Sequence, residues 1–143
     1  MPKTLTYEFG SVEVYENFVI SYINEGFHLT PDKNKILEDI ANEYFFDRAF
    51  VYITHRKYSY SVDPAIYLKT SEIINLAGFA VVAQVPLAKG NAQVEKLFLD
   101  KPFEILNAVA VFAAPRMVIS QTDYKKMVAP KMRSIRYLGA EGK

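Results

Sequence analysis

The 143-residue chain has no cysteine and no tryptophan, and it carries only two histidines and six glycines. The lack of cysteine excludes disulfides, thiol catalysis and thiolate-bound metal. The histidines, His28 and His55, fall in no HxxxH or His/Asp spacing, so no metal site is expected. Repeated glycines are missing as well: Lys89-Gly90-Asn91 lacks the pattern of a phosphate loop or dinucleotide fingerprint. Serines occur without a GxSxG elbow, and the carboxylates are scattered with no pairing suited to acid–base work. These gaps lead us to expect neither an enzyme nor a bound cofactor. Long apolar runs are also absent. The stretch Ala108–Ala114 is far too short to span a membrane, and no apolar run follows Met1-Pro2-Lys3. The expectation is a cytoplasmic protein without a membrane span.

What is present points to a single core. Half of the residues are hydrophobic, with 10 Phe and 10 Tyr, so an aromatic-rich interior is expected. That aromatic load, together with Ala108–Ala114, suggests self-association, for example as a homodimer. Charge is uneven: residues 1–115 carry a net −4 and residues 116–143 a net +5. We read 1–115 as the folded domain and 116–143 as a basic, solvated C-terminal extension, with nucleic acid not expected as a partner.

Along the chain, Thr6–Tyr15 reads as one β-rich segment that turns at Glu16-Asn17 into a second strand, Phe18–Ile23. Thr30 and Pro31 read as cap and first residue of a helix. Its apolar face is Ile36, Leu37, Ile40, Ala41, Tyr44 and Phe45, and Lys35 and Asp39 lie one turn apart. Phe50–Ile53 is a buried strand, and Asp63 and Pro64 open a helix running to about Ile74. After a break at Ala77-Gly78, Phe79–Val85 forms a second buried strand, stopped by Pro86. Asn91 caps a helix through Leu99 with Val94, Leu97 and Phe98 on one face; a strand Phe103–Leu106 and a helix Ala108–Ala114 follow. The expected order is β-β-α-β-α-β-α-β-α, an α/β fold with a mixed, largely parallel central sheet and helices packed on it.

Several phrases carry a resemblance to a known family: Tyr15-Glu-Asn17, Ile23-Asn-Glu-Gly26, Phe50-Val-Tyr-Ile-Thr-His-Arg56 and Tyr58-Ser-Tyr-Ser-Val-Asp-Pro64. Gly78-Phe-Ala-Val-Val82, Val94-Glu-Lys-Leu-Phe98 and Lys101-Pro-Phe-Glu104 extend it. The chain resembles the STAS superfamily, and more closely the small SpoIIAA-like bacterial proteins of the Bacteroidetes type. The resemblance implies a STAS-like fold and a regulatory or protein-binding role. In two places the chain departs from the family. The Asp-Ser-Ser-Gly type phosphorylation motif of anti-sigma-factor antagonists is replaced by Ser59-Tyr-Ser-Val-Asp-Pro64, so the phospho-switch does not carry over. The family's acidic amphipathic terminal helix is replaced by the wholly apolar Ala108–Ala114 and the basic tail.

The site expected from the residues is the loop after the Phe50–Ile53 strand, because open α/β sheets bind at the carboxyl ends of their strands. His55, Arg56, Tyr58, Ser59, Tyr60, Ser61 and Asp63 are the candidate partner- or ligand-binding residues, with Tyr67 nearby. His55 and Arg56 suit an anion, Ser59 and Ser61 precede a helix start, and exposed tyrosines suit a protein interface. Each has a plainer role too: loop hydrogen bonding for the histidine and serines, core packing for the tyrosines. The leading expectation is a non-enzymatic regulatory or protein-interaction module using Arg56–Asp63. The alternative is a small-ligand or lipid-binding domain using the crevice near residues 55–64.

Overall fold

A computed structural model describes residues 2–56, 60–83 and 86–106, with side chains described except at 86–88. Eight strands and three helices occur among them. The strands are β1 (Lys3–Tyr7), β2 (Gly10–Val14), β3 (Phe18–Ile23), β4 (His28–Leu29), β5 (Phe50–Arg56), β6 (Ser61–Val62), β7 (Leu76–Ala83) and β8 (Phe103–Leu106). The helices are α1 (Asn34–Tyr44), α2 (Ile66–Thr70) and α3 (Pro86–Glu95). The main sheet runs β1-β2-β3-β5-β7-β8; its first three strands are antiparallel and β3, β5, β7 and β8 are parallel. The fold is therefore mixed α/β with a mostly parallel central sheet. The short pair β4 and β6 forms a separate two-stranded ribbon.

The single N-terminal segment expected from Thr6 to Tyr15 is in fact two strands, because the chain reverses at Glu8-Phe9. Gly10 makes the reversal possible. Its φ is 146°, and a Cβ there would lie 1.9 Å from the Tyr22 carbonyl oxygen, so no other residue fits. The turn at Glu16-Asn17 forms as expected, closed by the Tyr15 N–H donating to the Phe18 carbonyl at 2.8 Å.

The first helix begins as a 3-10 turn, Pro31–Lys33, before α1. Thr30 does not cap the backbone; its hydroxyl donates to the Asp32 carboxylate instead. The expected apolar face holds: Leu37, Ile40, Ala41 and the following Phe45 are buried, and Lys35 meets Asp39 at 2.6 Å. The strand β5 runs three residues beyond the expected Ile53, which takes His55 and Arg56 out of the loop. Ala77-Gly78 does not break β7. The register with β5 shifts between Phe50 and Val51, and Gly78 lies opposite Val51. Gln84 and Val85, the expected end of this strand, lie outside the described residues. The helix expected over Pro64–Ile74 shrinks to the single turn α2, flanked by turns.

The third helix overturns its expected start and its expected face. It starts at Pro86, so Asn91 lies within it instead of capping it. It ends at Glu95, short of the expected Leu99; Val94 within it and Leu97 and Phe98 beyond it are exposed, while Ala92 and Glu95 are buried. The strand Phe103–Leu106 is as expected. The expected helix Ala108–Ala114 and the extension 116–143 lie outside the described residues.

Strand alternation sorts the core into two faces. Val12, Val14, Val19, Ile23, Tyr52, Phe79, Val81 and Phe103 face α1, α2 and α3 in two merging clusters. Ile20, Val51, Ile53, Ala80 and Val82 form a cluster on the opposite face, to which no described helix contributes a residue.

Candidate functional site

The end of β5 does not present a cationic loop. Arg56 is its last residue, and the two-residue period that points Tyr52 and Thr54 toward the helices points Arg56 the same way. It is 3% exposed, which corrects its expected place on the surface. A buried guanidinium needs a counter-charge, and Glu95 of α3, 4% exposed, supplies one. Nη1 donates to Glu95 Oε2 at 3.1 Å and Nη2 to Oε1 at 2.5 Å, a two-pronged pair. Nε donates to the Tyr60 hydroxyl at 2.8 Å, and the guanidinium lies 4.7 Å from the centre of the Tyr60 ring. The Tyr60 and Thr54 hydroxyls share a bond of 2.8 Å, and Tyr67 donates to Glu95 Oε1 at 2.5 Å.

This network fixes charge states. Burial works against a charged Arg56, but Tyr60 and then Glu95 outweigh it and raise the Arg56 pKa above its ordinary value. Burial pushes the Tyr60 hydroxyl up, and it pushes Tyr67 well up, with the Glu95 carboxylate adding to the effect. Both tyrosines are thus held neutral, Tyr67 donating to Glu95 and Tyr60 accepting from Arg56.

Of the seven expected residues, the fold brings Arg56 and Tyr60 together and separates most of the others. His55 lies on the opposite face of the sheet, its ring 5.5 Å from that of Tyr22. Ser61, exposed in β6, shares a 2.6 Å hydrogen bond with His28 Nδ1. Asp63 accepts from the Ala65 N–H at 3.0 Å, a local turn that starts α2. Tyr58 and Ser59 lie outside the described residues. Because α2 is one turn long, it offers no helix terminus for an anion.

Beside the network lies a cavity of about 60 Å³ between the sheet and α1, α2 and the β4–β6 ribbon. Val12, Ile23, Leu37, Ile40, Ile66 and Phe79 make most of its wall apolar. Tyr60 and Tyr67 line it too, so the network forms one of its sides. Its partly exposed liners include Leu29, Lys33, Ile36 and Val62, which frame the approach from solvent. Every polar group deeper in is engaged. Tyr52 donates to Ser21 at 2.7 Å, Thr70 donates to Asn34 Oδ1 at 2.6 Å, and Asn34 Nδ2 donates to Glu38 at 2.8 Å. Lys33 is the one charged residue lining it, and its Nζ meets the neighbouring Asp32 at 3.1 Å.

Glu95 and Lys33 were missed in the sequence. The signal for Glu95 is its spacing of three from Ala92, which places a carboxylate on the same side of its helix as a buried residue. Among the described residues, no group of three His, Asp or Glu side chains is placed to hold a metal ion. None of the described helices is long and apolar enough to cross a membrane. No family model, no curated protein and no solved structure matches the chain.

Proposed function

We propose that the protein is a non-enzymatic binding module that holds a small, largely apolar ligand between its sheet and α1. The observation that carries this reading is the cavity, which is lined by aliphatic and aromatic groups with its inner polar atoms already paired. Ligand sites are typically apolar concavities with a few oriented polar groups. The crevice at the end of β5 is the alternative place for a ligand, beside the buried Tyr60, Tyr67 and Arg56–Glu95 pair. A STAS-like identity remains part of the proposal, supported by an antiparallel N-terminal segment leading into parallel strands.

The test is a thermal-shift panel of small apolar compounds on the full chain, repeated on Ile36→Trp, which narrows the approach at a partly exposed position. A rise in Tm that disappears in Ile36→Trp supports the reading. No rise with any compound, or a rise that persists in the variant, contradicts it.

A second reading, a protein-interaction surface, is favoured by a separate observation. Leu68, Ile74, Val94, Leu97 and Phe98 are exposed large apolar side chains, with Ile74 at 95% and Leu97 at 81%. Hydrogen bonds from the Asp100 N–H to Ser71 Oγ at 2.9 Å and from Lys101 Nζ to the Ile73 carbonyl at 3.0 Å tie these two segments together. Sedimentation of the wild type against Leu97→Lys tests it. A partner-bound or dimeric species that dissolves in the variant supports it, and an unchanged monomer opposes it.

A further inference from the structure

The chemistry of the cavity restricts what can occupy it. Its inner hydroxyls and amide are bonded to one another, to Ser21 or to Glu38 and Glu95, so a carboxylate driven inward would forfeit its water for few free donors. The inward part of an anionic ligand must therefore be its apolar tail. Its size is bounded too: about 60 Å³ is roughly the room that two water molecules take in the liquid. At the partly exposed edge the electrostatics reverse. Lys33 places the one charge among the lining residues there, and its side chain is 27% exposed. Its partner Asp32 is adjacent in sequence and its side chain is 70% exposed. An ion pair of that kind contributes at most about 1 kcal/mol, so an arriving anion can displace it. The Asp32 carboxylate can then turn to solvent while still accepting from the Thr30 hydroxyl.

We propose that this cavity takes a short-chain aliphatic monocarboxylate, with its alkyl chain inserted beneath α1 and its carboxylate paired with Lys33. The proposal rests on the ligand-binding reading above and specifies its ligand class. A tail of about two or three carbons fills the space, and a longer chain must leave its excess in water. The selectivity resides in charge at the opening, and the apolar wall treats acid, alcohol and amine alike.

The experiment is a calorimetric or NMR titration of the full chain with butanoate, butanol, butylamine and acetate, on wild type and Lys33→Met. Butanoate should bind a few-fold more tightly than butanol and more tightly still than butylamine, with acetate weaker than butanoate. Lys33→Met should lose the preference for the acid while retaining butanol binding, which shows that the variant is folded and its cavity open. Equal affinity for butanoate and butanol, or an unaltered preference in Lys33→Met, overturns the carboxylate assignment while leaving a ligand cavity in place. Acetate binding as tightly as butanoate marks a surface anion contact and also overturns it. Binding of none of the compounds overturns both this assignment and the reading on which it rests.

Discussion

Beneath α1 the sheet meets its helix through Val12, Ile23, Leu37 and Ile40, and room is left between them. Beneath α3 the same face of the same sheet meets its helix through Arg56, Glu95, Tyr60 and Tyr67, drawn together by hydrogen bonds of 2.5–3.1 Å. The first region is non-directional and tolerates spare volume. The second fixes its atoms by direction and charge, at a desolvation cost that only complete pairing offsets. The difference explains why a ligand reading belongs to the α1 side. Hydrophobic packing can exchange a void for a guest, whereas a buried ion pair cannot admit one without breaking.

The largest expected effect comes from alkali, which attacks the charged region throughout. Tyr60 and Tyr67 have folded pKa values above the ordinary 10.0, so their contribution is fully present below about pH 10 and is lost as pH rises toward the folded values. Denaturant midpoints should be flat from about pH 8 to near 10 and fall steeply beyond. A flat profile above that range would show that these hydroxyls are not buried.

Next in size is Glu95→Ala, which leaves the Arg56 guanidinium buried without its counter-charge and should cost about 3–5 kcal/mol in chemical denaturation. The double variant Arg56→Met/Glu95→Leu should recover most of that loss, because it removes the charges together. A third pair of substitutions sets one region directly against the other. Ala92→Val adds methyl groups where α3 is fully buried and should destabilise by about 1–3 kcal/mol. Val12→Ile adds one into the cavity wall and should stabilise by about 0.5–2 kcal/mol. Equal signs for the two would erase the distinction. The smallest effect is expected of Ser61→Ala, within about 0.5 kcal/mol, since its bond to His28 is exposed.

The α1 region was legible in the sequence, and the α3 region was not. Ile36, Leu37, Ile40 and Ala41 repeat at helical spacing, and Phe50–Ile53 is an uninterrupted apolar run, so periodicity alone placed them. Arg56 and Glu95 defeat that logic: each is a charged residue in an apolar register, and each is buried only because the other is. They are 39 positions apart in sequence, so local pattern carries no trace of the pairing. The same blindness grouped Val94, Leu97 and Phe98 on one apolar face of a helix through Leu99, whereas α3 ends at Glu95 and it is Glu95 that is buried. The cavity was illegible for another reason. It is a shortfall of volume between α1, α2 and β5, a property of how elements meet that belongs to no single segment.

Because apolar cavities of this kind admit xenon, the most direct measurement is the response of backbone and methyl NMR signals to dissolved xenon. The account predicts saturable shifts concentrated on residues around the cavity, such as Leu29, Leu37, Ile40 and Val62, with Ala92 and Leu99 beneath α3 unmoved. Shifts centred on Ala92 and Leu99, or no saturable response anywhere, would contradict it.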